Sequence, residues 1–190
     1  GRPLGIPLIV DNTAAPLICR PFDHGAAIII HSATKYIGGH GTSIGGVIVD
    51  GGNFDWEAHP DRQPKLNQPD PNYNGVIWTE AVKALGPIAY ILKARNTLLR
   101  DMGAAMSPFN AFMFIQGMET LHLRMKEHSA NGQKVAEHLS KHPMVERVAY
   151  PGTSSGLPKE RADKYLSNGC GGLLGFEIKG GHEAGKKFIN

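Results

Sequence analysis

Three short apolar runs, each ending at polar residues or glycine, constrain the fold of this chain more than any other feature. Pro7 to Val10 stops at Asp11-Asn12-Thr13, Ala26 to Ile30 stops at His31-Ser32, and Ile44 to Val49 lies between Gly41 and Gly51-Gly52. Short runs rich in isoleucine and valine read as strands of a sheet covered on both faces. Such sheets bind ligands outside the carboxyl ends of their strands, so the polar residues there are where chemistry is expected.

Composition removes several alternatives. The 190 residues carry a formal charge of +3 with no basic stripe, so a dedicated nucleic-acid binder is not expected. No apolar stretch approaches the ~18 residues of a membrane span. Glycine is abundant, 24 residues, but shows no period of three, which excludes collagen. Cys19 and Cys170 are too far apart in sequence for a CxxC knuckle and fit a reducing cytosol. An apolar strand begins almost at residue 1 without an initiator methionine, and residues 182–190 read as the opening of a helix. The expectation is an internal piece of a longer polypeptide.

Beyond the third run, residues 51–78 are polar and hold Pro60, Pro64, Pro69 and Pro71. They read as an irregular excursion with one short helix near Phe54 to Ala58. Helical character follows over Thr79 to Leu85 and Ile88 to Met102. Ser107-Pro108 opens another helix, with the serine as N-cap and the proline at N1. Its apolar residues Phe112, Ile115, Met118, Leu121 and Met125 recur every three or four positions. Ser129 to His142 continues it or forms a second helix. Met144 to Tyr150 and Leu173 to Ile178 read as strands, with a short helix at Lys159 to Leu166 between them. A domain boundary is expected between Ser129 and Met144.

The densest chemical signal is His31-Ser32-Ala33-Thr34-Lys35-Tyr36-Ile37-Gly38-Gly39-His40-Gly41, directly after a strand. A lysine among Ser, Thr and Gly suits a phosphate ester that also bears a carbonyl. Hydroxyls and open backbone amides hold the phosphate, and the amine condenses with the carbonyl as a Schiff base. Asp11 stands 24 residues upstream at the end of the preceding strand. Adjacent strand ends bring Asp11 and Lys35 to one sheet edge, where a carboxylate could hold a protonated pyridine nitrogen.

With Leu8-Ile9-Val10-Asp11-Asn12-Thr13 and the lysine run in hand, the sequence resembles the Cys/Met-metabolism family of pyridoxal-phosphate enzymes. The runs Ser107 to Phe112, Gln116 to Leu121 and Leu123-Arg124-Met125, and the Tyr150-Pro151-Gly152 strand ending, are similar to that family too. The resemblance covers essentially the whole chain. It implies an α/β protein of fold type I, the aspartate-aminotransferase-like architecture. Residues 1–140 would be the C-terminal part of the cofactor-binding large domain with connecting helices, and 141–190 the beginning of the small C-terminal domain. Within the family, Gly41-Thr42-Ser43-Ile44-Gly45-Gly46 and the long excursion after Gly51 resemble O-acetylhomoserine sulfhydrylases. The γ-lyases tend to carry an aspartate after the Gly-His-Gly.

That resemblance implies roles. Lys35 matches the lysine that bonds pyridoxal 5′-phosphate and then moves protons at the substrate. Asp11 matches the carboxylate on the pyridine nitrogen, Ser32 and Thr34 the hydroxyls on the phosphate, and Thr13 a group that helps fix the ring. The implied reaction is γ-replacement on O-acetylhomoserine by sulfide or a small thiol, giving homocysteine or methionine. The alternatives are γ-elimination of the methionine or cystathionine γ-lyase type, and a non-catalytic fragment. The family's upstream glycine loop and stacking aromatic ring, and its downstream carboxylate-clamping arginine, lie outside residues 1–190. The remaining segments of the same enzyme are therefore expected partners, in a homodimer or homotetramer.

Other signals carry less. Gly39-His40-Gly41 with Gly45 gives G-x-G-x-x-x-G rather than the dinucleotide fingerprint, with no acidic ribose partner. His138 and His142 lie four apart on one helix with no third ligand, so they read as an exposed face. Cys19 reads as an inert thiol. His31 and His40 flank the lysine run and read as packing or backbone hydrogen-bonding groups.

Overall fold

The first two apolar runs become β1 (Ile9–Asp11) and β2 (Ile28–Ser32), paired in parallel with Asp11 opposite Ile30. The third becomes β3 (Gly46–Asp50), antiparallel to β2 with Ser32 opposite Gly46. The computed structural model describes all 190 residues. Each strand begins two residues later than the apolar run that announces it. Ala26 and Ala27 are buried just ahead of β2, and Ala27 extends the pairing by donating its amide to the Leu8 carbonyl and accepting the Gly51 amide.

The sheet is covered at its centre but not throughout, which differs from the expectation. Ile28 and Ile29 are buried, whereas Ile9, Val47, Ile48 and Val49 are exposed. A face of a parallel sheet is covered by crossover helices. The connection from β2 to β3 carries no α-helix and returns the chain antiparallel.

The excursion after β3 is a structural layer. It contains α1 (Pro64–Asn67) and two 3₁₀ turns, and leads into α2 (Trp78–Ala81) and α3 (Ala89–Lys93). The helix expected near Phe54 to Ala58 is absent. There the Asp55 side chain accepts the amides of Glu57 and Ala58 at 3.0 and 3.1 Å, and this local turn displaces a helix. Phe54 and Trp56 are buried instead, packing with Leu66 and Trp78 against Ala27 and, in β2, Ile28. The Trp56 ring stacks on Tyr90 with centroids 5.4 Å apart, and its indole N–H donates to the Pro87 carbonyl at 3.1 Å. After α3 the backbone widens into a π-helical stretch, Ala94–Asp101.

Two long helices follow, α4 (Pro108–Glu119) and α5 (Leu121–Ser140), broken only at Thr120. The Arg124 guanidinium donates to the Gly117 carbonyl at 2.7 Å and to Thr120 Oγ1 at 3.2 Å, bridging that break. Next come β4 (Val145–Ala149), α6 (Gly156–Tyr165), β5 (Gly175–Ile178) and α7 (Gly181–Ile189), with β4 and β5 antiparallel.

The chain divides into two compact units, residues 1–13 with 21–115, and residues 14–20 with 116–190. They part within α4, upstream of the boundary expected between Ser129 and Met144. The second unit is tied together around Tyr150, whose buried hydroxyl donates to the Gly171 carbonyl at 2.9 Å. Ser129 Oγ accepts the Gly171 amide at 3.1 Å. Residues 14–20 join this unit through the Ser167 amide and the Asn168 side chain, which donate to the Ile18 and Leu17 carbonyls.

Candidate functional site

The parallel register of β1 and β2 sets the site. Asp11 closes β1 opposite Ile30, and Ser32 closes β2 two residues further on, so Asp11 and the Ser32–Gly41 loop share the carboxyl edge of the sheet. The two strand ends are also joined directly, because Thr13 Oγ1 accepts the Ser32 amide at 2.7 Å.

Asp11 is exposed at the end of its strand. Its carboxyl is held below the ordinary aspartate value. The largest cause is a side-chain hydrogen bond from Thr13, followed by the Thr13 amide, which donates to Asp11 Oδ1 at 3.0 Å. A smaller pull comes from His31. That imidazole is half-buried, and its pKa is pushed down by burial more than Asp11 raises it. Its Nδ1 is buried without a hydrogen-bond partner.

The loop after β2 is a run of tight turns. The Lys35 amide donates to the Ser32 carbonyl at 3.3 Å, Gly38 to Ala33 at 2.8 Å, and Gly39 to Lys35 at 2.8 Å. This winding leaves the Lys35 side chain exposed, with its amine in no ion pair or side-chain hydrogen bond. His40 Nδ1 donates to the Gly38 carbonyl at 2.7 Å, the backbone role expected of it.

The two hydroxyls differ. Ser32 Oγ is free of intramolecular bonds at the end of β2. Thr34 Oγ1 accepts the Gly45 amide at 3.1 Å and turns its proton to the Gly45 carbonyl at 3.3 Å. The second contact is long for an O–H···O bond. The hydroxyl can therefore redirect its proton to an incoming oxyanion while keeping the Gly45 amide.

Gly38 and Gly45 grip one aromatic ring. A Cβ on Gly45 would lie 2.5 Å from Phe114 Cε2 and 2.7 Å from Met106 Cε, and one on Gly38 would meet Phe114 at 3.0 Å. Ser43 Oγ reaches Asn110 Oδ1 and Met113 Sδ at 3.4 and 3.3 Å. The start of α4 thus buttresses the lysine loop. Sequence reasoning missed Gly45, Met106 and Phe114 as supports. The signal available was the Gly45-Gly46 pair, which breaks an otherwise apolar run at the point of closest approach.

Cys19 has a thiol pushed up by burial, in keeping with an inert residue. His138 and His142 have ring centroids 6.2 Å apart at the end of α5 and its following turn. No helix in the chain is long and apolar enough to cross a membrane.

Comparison with known proteins gives a consistent result. The family described as "Cys/Met metabolism PLP-dependent enzyme" matches residues 1–190. O-acetyl-L-homoserine sulfhydrylase of Leptospira meyeri is 50% identical, over 100% of this chain and 44% of its own length. Homocysteine synthase of Schizosaccharomyces pombe is 48% identical, over 98% of this chain and 43% of its own length. A solved structure from Campylobacter jejuni, described as an O-acetylhomoserine (thiol)-lyase, contains an N′-pyridoxyl-lysine-5′-monophosphate. It superposes with a TM-score of 0.82 at 39% identity, covering 92% of this chain and 43% of that one. The chain thus spans less than half the length of the relatives it matches.

Proposed function

The chain belongs to the Cys/Met metabolism PLP-dependent enzyme family, and from that premise we propose that it carries the lysine, carboxylate and hydroxyls of a γ-replacement site. The substrates are O-acetylhomoserine and sulfide or a small thiol, and the products are homocysteine or methionine and acetate. The observation that carries this reading is the shared sheet edge, with Asp11 at the end of β1 and Lys35 in the loop after β2. Relatives named as homocysteine synthase and O-acetyl-L-homoserine sulfhydrylase support it.

The residues fit pyridoxal 5′-phosphate by their chemistry. The Lys35 amine is exposed and unengaged, the Asp11 carboxyl is held ionised, and a free hydroxyl at Ser32 adjoins the redirectable one at Thr34. When bound, that group supplies a carbonyl for an amine to condense with and a ring that takes up electron pairs released at carbon. Lys35 would hold it through its amine. With its amine free, Lys35 would be the base that takes the α-proton and then a β-proton of the substrate. Lys35 would also return protons to Cβ and Cα once the sulfur has taken the place of acetate at Cγ. The Asp11 carboxylate would be the group that holds the protonated ring nitrogen. Ser32 and Thr34 would hold the phosphate, and Thr13 would support the ring end of the site.

We read residues 1–140 as part of the cofactor-binding large domain of fold type I and 141–190 as the start of the small domain. The exposed Phe109 and Phe112 on α4 support burial against further protein surface, from the remaining segments of the enzyme and from copies in a homodimer or homotetramer. We place the reaction in the cytoplasm, where free thiols such as Cys19 and Cys170 persist.

The test uses the native protein saturated with the cofactor, reduced with borohydride and mapped by mass spectrometry. The expected result is a pyridoxyl group on Lys35 and none in Lys35→Ala; a label on another lysine overturns the assignment. Product analysis then separates the reactions. Homocysteine formed from O-acetylhomoserine and sulfide supports replacement, whereas α-ketobutyrate with ammonia means γ-elimination.

A further inference from the structure

The second unit holds a groove of its own. It has a volume of about 450 Å³ and lies between the end of α5, the β4–β5 pair and α7. Its floor is apolar, built from Leu139, Val145, Phe176, Ile178 and Phe188. Val145 and Ile178 are partners across the two strands, and the rings of Phe176 and Phe188 meet edge to face with centroids 5.3 Å apart. Phe188 is nevertheless 67% exposed. Small-molecule sites are typically about 300–1,000 Å³, with mostly apolar walls and a few placed polar groups.

The polar groups at the rim share one character. Lys179, Lys187, His138 and His142 line the groove, and no carboxylate does. Glu183, the one acid of α7, is taken up by Lys186 at 3.1 Å. Lys179 Nζ donates to the Pro143 carbonyl at 2.7 Å, which fixes the amine and leaves it two further protons. Lys187 makes no side-chain hydrogen bond or ion pair. His142 Nδ1 accepts the Met144 amide at 3.2 Å, so the proton of its neutral ring lies on Nε2. The unspent capacity of these three side chains is therefore for donation alone.

The complement of such a groove is an anion carried on an apolar body. An ammonium head would meet two lysines. An inorganic anion would leave the floor wet. A second copy seated on the same groove across a two-fold axis would set lysine against lysine.

We propose that this groove binds an aliphatic carboxylate, with the chain along the apolar floor and the carboxylate against the Lys179 and Lys187 amines. The site is separate from the Lys35 loop and does not depend on the reaction assigned there.

The test titrates the native protein calorimetrically with hexanoate, octanoate and decanoate, and with octanol and octylamine. Affinity should rise about fourfold for each methylene added to the carboxylate. Octanol should bind more weakly than octanoate, and octylamine more weakly still. Lys187→Glu, at an exposed position, should weaken octanoate about fivefold. A diazirine-bearing octanoate, photocrosslinked and mapped by mass spectrometry, should label residues 138–145 and 176–188. Absence of saturable octanoate binding overturns the inference and is the result to expect if another stretch of protein already fills the groove. Octylamine binding as tightly as octanoate, an unchanged affinity in Lys187→Glu, or label only outside those segments overturns it as well. Borohydride labelling of Lys35 is indifferent to all of these outcomes, so the two readings fail separately.

Discussion

The indole N–H of Trp78 donates to the carboxylate of Asp70 at 2.8 Å, and both side chains are buried. Lys93 pairs with the same carboxylate oxygen and lies 5.2 Å from the centroid of the Trp78 ring. The Asn72 amide donates to the other oxygen at 3.0 Å. One carboxylate thus ties the polar excursion to Trp78 and to Lys93 of α3.

Acid stability should report this cluster. The Lys93 and Trp78 hydrogen bonds hold Asp70 down at about 2 against an ordinary 3.8. A depressed carboxyl stabilises the fold above its unfolded pKa and loses that contribution as pH falls through the folded one. The contribution is therefore complete above pH 3.8 and disappears toward pH 2. Urea midpoints measured across that interval should fall with acid in wild type, and Asp70→Asn should flatten that slope while lowering stability at neutral pH.

Filling the glycine under the lysine loop should strain it. In Gly45→Ala the new methyl meets Phe114 and Met106 well inside van der Waals contact. Overpacking of this kind costs about 1–3 kcal/mol. Chemical denaturation should show that loss, and Phe114→Leu in the same chain should recover part of it. Additive losses in the double variant would rule out the Gly45–Phe114 contact.

Tyr150 is 2% exposed, and its hydroxyl satisfies the Gly171 carbonyl. Tyr150→Phe keeps the ring and leaves that buried carbonyl without its donor. The expected loss is about 1–3 kcal/mol, read from the denaturation midpoint of the second unit. A midpoint equal to wild type would mean that water replaces the hydroxyl.

Burial raises both thiols above their ordinary value of 9.0. Since the thiolate is the reactive form, alkylation of Cys19 and Cys170 by iodoacetamide at pH 8 should be slower than that of a free cysteine. Denaturant should remove the difference. Rapid labelling of Cys19 in the native protein would contradict an inert role.

Much of the site was legible because it is written in contiguous residues. An apolar run that ends in Asp11-Asn12-Thr13, and another that ends in a Ser-Ala-Thr-Lys loop, announce strand ends and their chemistry without knowledge of anything distant. The excursion was not legible. Phe54, Trp56, Leu66 and Trp78 are scattered among prolines and polar residues with no helical or strand period, yet they form the core of the first unit. Likewise nothing near Thr34 in sequence indicates that Gly45 takes its hydroxyl, or that Phe114 fills the space beside Gly38.

Contiguous residues were enough to set the apolar runs that became strands, the polar residues that close them and the family resemblance. Local chain geometry and side-chain type suffice for these. That β3 returns antiparallel, that the polar excursion supplies the core, and that Thr13 contacts both Asp11 and Ser32 came from the folded chain. Those outcomes depend on burial and hydrogen bonding between residues far apart along the chain, whose free energy exists only once the fold has brought them together.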